Sequence, residues 1–170
     1  MVEVYTFRGL SNEEDSFYLE ISVRSDQTFM QFHKGLQEGL GYDKGQIASF
    51  YLTNRNWEKE KEVTLIDMSD EQVRDILNME DTRIKELIIG EKTRLVYVFD
   101  FFFERAIHLE LINKELSEVR DGYPTIVQCT GTIPSQIIAP GETTGPTGDA
   151  YDEDDLNSDI RFEPLDDMDI

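Results

Sequence analysis

The segment from Leu95 to Ile112 leaves this chain the least choice of fold. Leu95, Tyr97, Phe99 and Phe101 take alternate positions, with Val96, Val98 and Asp100 between them. After a short turn, Ile107, Leu109 and Leu111 alternate with His108, Glu110 and Ile112. Successive side chains of a strand point to opposite faces, so a period of two marks a strand that buries one face. Two such runs in succession predict an antiparallel hairpin with one aromatic–aliphatic face. Two registers keep that face together, Phe99 opposite Leu109 or Phe99 opposite Ile107. A slip by two residues preserves the pattern, so it does not choose between them. Only the first sets Asp100 across from His108. Continued alternation places Phe99, Phe101 and Phe103 in the core and turns Phe102 outward.

The same period appears near the start. Val2 to Arg8 reads as a strand, and Phe17, Leu19, Ile21 and Val23 share one face of a second. A polar turn, residues 11–15, joins them into a hairpin. Then the period changes. Phe29, Phe32, His33, Leu36 and Leu40 recur at helical spacing, a single stripe after an Asp26 N-cap, with Gly41 at the left-handed C-terminal position. Gly35 and Gly39 weaken this helix by roughly 1 kcal/mol each but let it lie close to a sheet. Ile47–Leu52 and Glu62–Ile66 follow as strands. Ser69 to Gln72 has capping-box spacing before Val73, Ile76 and Leu77, which predicts a short helix. Asp81-Thr82 before Ile84, Leu87 and Ile88 predicts another, ended by Gly90. Tyr123-Pro124 opens a last strand, Thr125 to Cys129, in which the thiol reads as a small buried group. The elements predict an α+β fold: a mainly antiparallel sheet with one main amphipathic helix, about 27–40, and short helices packed on it.

Charge divides the chain. It has 170 residues with 16 Lys and Arg against 36 Asp and Glu, a formal net charge of −20. From Glu142 onward there are 11 acids and one base, Arg161, so half of that charge lies in the last 29 residues. The organisation expected is therefore a domain over 1–135, a Gly/Pro/Thr linker over 136–148 and an acidic C-terminal tail over 149–170. In the tail, carboxylates interleave with Leu156, Ile160, Phe162 and Leu165, a pattern that suits docking on a partner or on the chain's own domain. Ordinary binding to nucleic-acid phosphates needs clusters of Lys and Arg and is not expected. No apolar stretch approaches the ~20 residues of a membrane span, and Met1 to Leu10 lacks the plan of a signal peptide. One cysteine, Cys129, rules out an internal disulfide. A cytoplasmic location is expected.

Chemistry is thin. His33, His108 and Cys129 are the whole His/Cys inventory, short of a zinc set. Asp149, Asp152, Asp154 and Asp155 lack the glycine and glutamate positions of a calcium loop. No phosphate-cradling glycine loop and no G-x-S-x-G elbow occurs. No cofactor and no metal are expected. His33 reads as a core-edge histidine donating to a backbone carbonyl. Asp100 and Glu104, beside the hairpin turn, are the one acidic pair worth keeping, and the simpler role for Asp100 is to accept turn N–H groups. The candidate polar or binding site is His33, Asp100, Phe102, Glu104 and His108.

Several of these segments together resemble the plasmid pRiA4b ORF-3-like family. Thr28-Phe29-x-x-Phe32-His33-x-x-Leu36-Gln37-x-x-Leu40-Gly41-Tyr42-Asp43 is similar to its helix. Tyr97-Val98-Phe99-Asp100-Phe101 is similar to its hairpin, and Tyr123-Pro124, Cys129 and Gly131 to its Y-P-x-C-x-x-G region. The resemblance covers about residues 1–135. It implies a compact α+β domain, bacterial or archaeal and often carried on mobile elements, and implies no reaction. The chain departs from it at four places. Phe102, Phe103, Glu104 and Arg105 stand where relatives commonly have glycine, an acid and tryptophan. Gln46 and Ile107 replace histidines, and Pro134-Ser135-Gln136-Ile137 replaces P-P-E-D.

The function expected is a non-enzymatic protein-interaction module with an unidentified protein partner, possible contact being through 149–170. One alternative is an accessory protein in mobile-element or DNA-transaction biology, acting through a protein partner. Another is an enzyme with a polar site near His33, Asp100 and Glu104, which requires those three side chains to converge in one cleft.

Overall fold

A computed structural model describes residues 1–65 and 76–138. Contacts divide the chain into Met1–Pro140 and Gly141–Ile170, and the acidic tail and most of the 136–148 segment lie outside the described residues.

The first hairpin forms as β1 (Val2–Ser11) and β2 (Tyr18–Arg24), paired antiparallel. Helix α1 (Phe29–Leu40) follows. Then come β3 (Ser49–Thr53), β4 (Lys59–Thr64), β5 (Ile76–Asn78), helix α2 (Ile84–Leu87), β6 (Arg94–Asp100), β7 (Arg105–Ser117) and β8 (Thr125–Thr130). All eight strands join one sheet, in the order β5-β4-β3-β6-β7-β1-β2-β8. Every neighbouring pair is antiparallel except β4 and β5, which run parallel.

This overturns the α+β expectation. The described chain is mostly sheet, a single eight-stranded mixed one, and its two helices have 12 and 4 residues. Ile76 and Leu77 belong to β5 and not to a helix, and the rest of that expected helix lies outside the described residues. A short apolar run satisfies helical spacing and strand burial equally, and here pairing with β4 decides the conformation. The turn after Asp81 yields one helical turn without a side-chain cap.

α1 begins at Thr28, not Asp26. The Thr28 hydroxyl accepts from the Gln31 amide while the Gln31 side chain accepts from the Thr28 amide, a reciprocal capping box. Asp26 is held instead by Arg24, with Arg24 Nε 2.8 Å from its carboxylate. The helix lays Phe29, Phe32, Leu36 and Leu40 onto one sheet face, where they meet Phe7, Leu19, Phe50, Tyr97 and Leu109. The contact is close: a Cβ on Gly39 would stand 2.5 Å from Ile126, and one on Gly35 would stand 2.6 Å from Pro124. Among the described residues no helix is long and apolar enough to cross a membrane.

The β6–β7 register is neither of the two expected. Tyr97 faces Ile107, Val96 faces His108, and Asp100 faces Arg105. The turn sets this. Asp100 Oδ1 accepts from the amides of Phe102 and Phe103, at 3.1 and 3.3 Å, and Glu104 takes a left-handed φ of 52°. An aspartate that folds the backbone onto itself closes the hairpin early. The strand therefore ends at Asp100, and Phe101 and Phe103 are exposed with Phe102 rather than buried.

Candidate functional site

The four-residue turn between β6 and β7 puts Phe101, Phe102 and Phe103 at the surface, and Phe102 is 86% exposed. Beside them opens a cleft of about 330 Å³, lined among others by Gln46, Ile47, Asp100, Phe101, Gln136 and Ile137. One wall is the strandless segment after β8, which reaches the turn because Arg105 holds it there.

Arg105 is the centre of this arrangement. Its side chain is 5% exposed. Nε donates to Glu13 Oε2 at 2.9 Å, and Nη2 donates to the other Glu13 oxygen and to the Ser135 carbonyl. Nη1 lies 3.5 Å from Asp100 Oδ2 and donates to the Gln136 carbonyl at 3.3 Å. The guanidinium also stacks over Phe99, 5.1 Å from the ring centroid. The hydrogen bonds it donates to Glu13, ahead of the smaller help from Asp100, raise its pKa further. One planar fork thus ties the β1–β2 turn, the aromatic turn and the cleft wall together. The wall has two further anchors. Tyr42 donates to the Pro134 carbonyl at 2.6 Å, and the Gln136 side-chain amide bonds both the N–H and the C=O of Asp43.

His33 lies within the core, 2% exposed. Its Nδ1 is 2.8 Å from the Tyr97 hydroxyl, not bonded to a backbone carbonyl as expected. Burial, with a smaller contribution from Lys34, pushes its pKa down to about 4. Burial raises the Tyr97 phenol, and the neighbouring Tyr42 adds to it. The pair is a neutral hydrogen bond inside the core.

The unfolded histidine titrates near its ordinary 6.5 and the folded one near 4. Between those values the unfolded chain binds the proton that the folded chain refuses, so stability falls as pH drops through that window. The loss is complete near the folded value and amounts to about 3 kcal/mol at most. Urea unfolding of the parent and of His33→Asn across pH 4 to 6.5 checks it. The parent is expected to show the steeper slope, and parallel slopes would refute the assignment. His108, whose pKa burial also lowers, acts in both proteins alike.

Asp100, Phe102 and Glu104 therefore share one turn. His33 shares no hydrogen bond or ion pair with them among the described residues. His108 projects from the other sheet face than its neighbours Ile107 and Leu109, which sit in the core. Its ring and that of Trp57 stand edge to face, 5.0 Å between centroids, and its Nδ1 is buried without a hydrogen-bond partner. Among the described residues no group of three or more His, Cys, Asp and Glu side chains is placed to hold a metal ion. Arg105, Gln46 and Gln136 were outside the sequence-based site. The one signal for Arg105 was a lone cation closing an aromatic turn opposite an aspartate.

A predominantly β protein, one eight-stranded sheet with a helix on its buried face and an aromatic cleft at a hairpin turn, is the class this structure defines. A family model described as plasmid pRiA4b ORF-3-like protein matches residues 7–143, and the chain belongs to that family. The crystal structure of a protein of unknown function from Methanosarcina mazei Go1 shares the fold, with a TM-score of 0.52 and 14% identity over 76% of this chain and 70% of that one. No curated protein matches. Three of the four departures from the family pattern, Gln46, the Phe102–Phe103 pair and the Gln136–Ile137 segment, line this same cleft. The fourth, Ile107, is buried opposite Tyr97.

Proposed function

We propose that this chain is a protein-interaction module whose recognition site is the aromatic turn and its cleft. The observation that carries the reading is Phe102, a phenylalanine 86% exposed at the tip of a turn that Asp100 closes by accepting from the Phe102 and Phe103 amides. Turn tips are ordinarily polar. A large apolar side chain presented to water there, next to Phe103, Ile47 and Ile137, costs solvation that contact with a partner recovers. Phe102 and Phe103 stand edge to face, 4.7 Å between centroids, and make a projecting knob. A knob suits a protein surface with its own apolar concavity, and a small ligand would instead be enclosed. The amides of Gln46 and the exposed carboxylate of Glu104 supply polar contacts at its rim.

The test uses a photo-reactive phenylalanine analogue at position 102, in cells that produce the protein, with the same analogue at Ile89, which is 82% exposed, as control. A discrete adduct is expected at 102 and not at 89. The unlabelled parent chain should compete it away, and its Phe102→Ser variant should not. Phe102→Ser is expected to change the melting temperature little, because the side chain is already in water. Equal competition by parent and variant would end the proposal.

A further inference from the structure

Gly122 to Gly141 is a run of 20 residues without a charged side chain, in a chain that is 31% charged and carries −20 overall. Twenty residues of average composition would hold about six charges. This run contains β8, the last strand of the sheet. β8 pairs with β2 along one side only, and among the described residues no strand lies beyond it. Thr125, Val127, Gln128 and Thr130 are all exposed, Val127 by 58%. Natural edge strands are commonly blunted by lysine, in-strand proline or a bulge. β8 has only a bulge, at the Glu20/Ile21 step of its pairing with β2. At the other end of the sheet, β5 has 3 residues, too few to template much pairing.

We propose that β8 is a homodimerisation edge: two copies pair β8 to β8, antiparallel about a two-fold axis, and continue one sheet through both. An antiparallel pair of identical strands satisfies the open N–H and C=O groups of each by symmetry. Charge selects the second copy as occupant. Two chains that each carry −20 repel, and the uncharged run is a place where they meet without charged side chains on the strand itself. Antiparallel pairing also carries Asp121 of one copy toward the uncharged stretch after Thr130 of the other. A basic partner would find no counter-charge on this edge. The inference concerns a different surface from the aromatic turn and stands whether or not that turn binds a protein.

Sedimentation equilibrium of the full chain over a wide concentration range tests it. A species of twice 19.7 kDa is expected. Added salt should strengthen it, because screening relieves repulsion between the bodies and removes no ion pair at the contact. Val127→Lys places a cation in the middle of each copy's edge strand and is expected to weaken dimerisation at least tenfold, while Val127→Thr leaves it intact. In a Cys129→Ser background, single cysteines placed in turn along 125–130 should give oxidative cross-linking that peaks at one position and falls on both sides. That scan also decides the matter should Val127→Lys fail to fold. A monomer at every concentration, a dimer that Val127→Lys leaves unchanged, or a flat cross-linking profile would each overturn the proposal. A strand from another protein on this edge would appear as a monomer here.

Discussion

Arg105→Met should lower stability by about 3 kcal/mol and the melting temperature by roughly 10 °C. Methionine fills much of the same space, so little of the loss comes from a cavity. The loss comes from what the guanidinium leaves behind: Glu13, Asp100 and the carbonyls of Ser135 and Gln136, held together by one side chain that is 5% exposed. Removing one partner costs more than the pair contributes net, because Asp100 and the two carbonyls are left in partly buried positions without their donor. Circular dichroism melts measure the change. Hydrogen exchange locates it, with faster exchange expected first at the amides of Phe102 and Phe103 and in the 134–137 segment. Should Arg105→Met melt within a degree or two of the parent, the fork would not be what holds the cleft wall.

Gly131→Ala should be the most damaging single-methyl change in the described chain. Two independent constraints meet at this residue. Its φ is +76°, a left-handed conformation that costs an L-residue roughly 1–2 kcal/mol. An added Cβ would also lie 1.8 Å from the Ser16 carbonyl oxygen, which is backbone and cannot step aside alone. Gly41, at φ +70° with nothing within 4 Å of its would-be Cβ, separates the two effects. Gly41→Ala should cost only the conformational amount and Gly131→Ala at least about 2 kcal/mol more. Equal losses in urea unfolding would show that the crossing at Ser16 relaxes freely. The crossing matters to the site because it directs the chain from β8 back across the β1–β2 turn, where the Thr132 amide meets Ser16 Oγ at 3.0 Å, toward Arg105.

The alternation at Phe17, Leu19, Ile21 and Val23 and the stripe at Phe29, Phe32, Leu36 and Leu40 name residues that are all buried. The turn-capping part for Asp100 was also legible, because an aspartate at the end of a strand has few local options. The exposure of Phe101 and Phe103 was not. It depends on where the strand stops, and period two continues on paper past the residue at which a side chain–backbone bond ends the strand. Ile76 and Leu77 were misread for a related reason, since three residues do not distinguish a strand from a helical turn. Gln46 and Gln136 were visible as departures from the family pattern, yet nothing in their spacing, 90 positions apart, brings them to one cleft.

By itself the sequence determined the local periods: which residues face a core, where one helix begins to be possible, where the charge lies, and the uncharged run around β8. Those follow from interactions between residues a few positions apart, which the order of the chain states directly. Only the tertiary structure decided the balance of the fold, the β6–β7 register and the site. All three depend on long-range pairing: β5 finding β4, Asp100 finding Arg105, and one guanidinium gathering the turn at Glu13 and the carbonyls of Ser135 and Gln136. Such contacts are chosen by desolvation and geometry in three dimensions, and a pattern with a period of two or 3.6 carries no record of them.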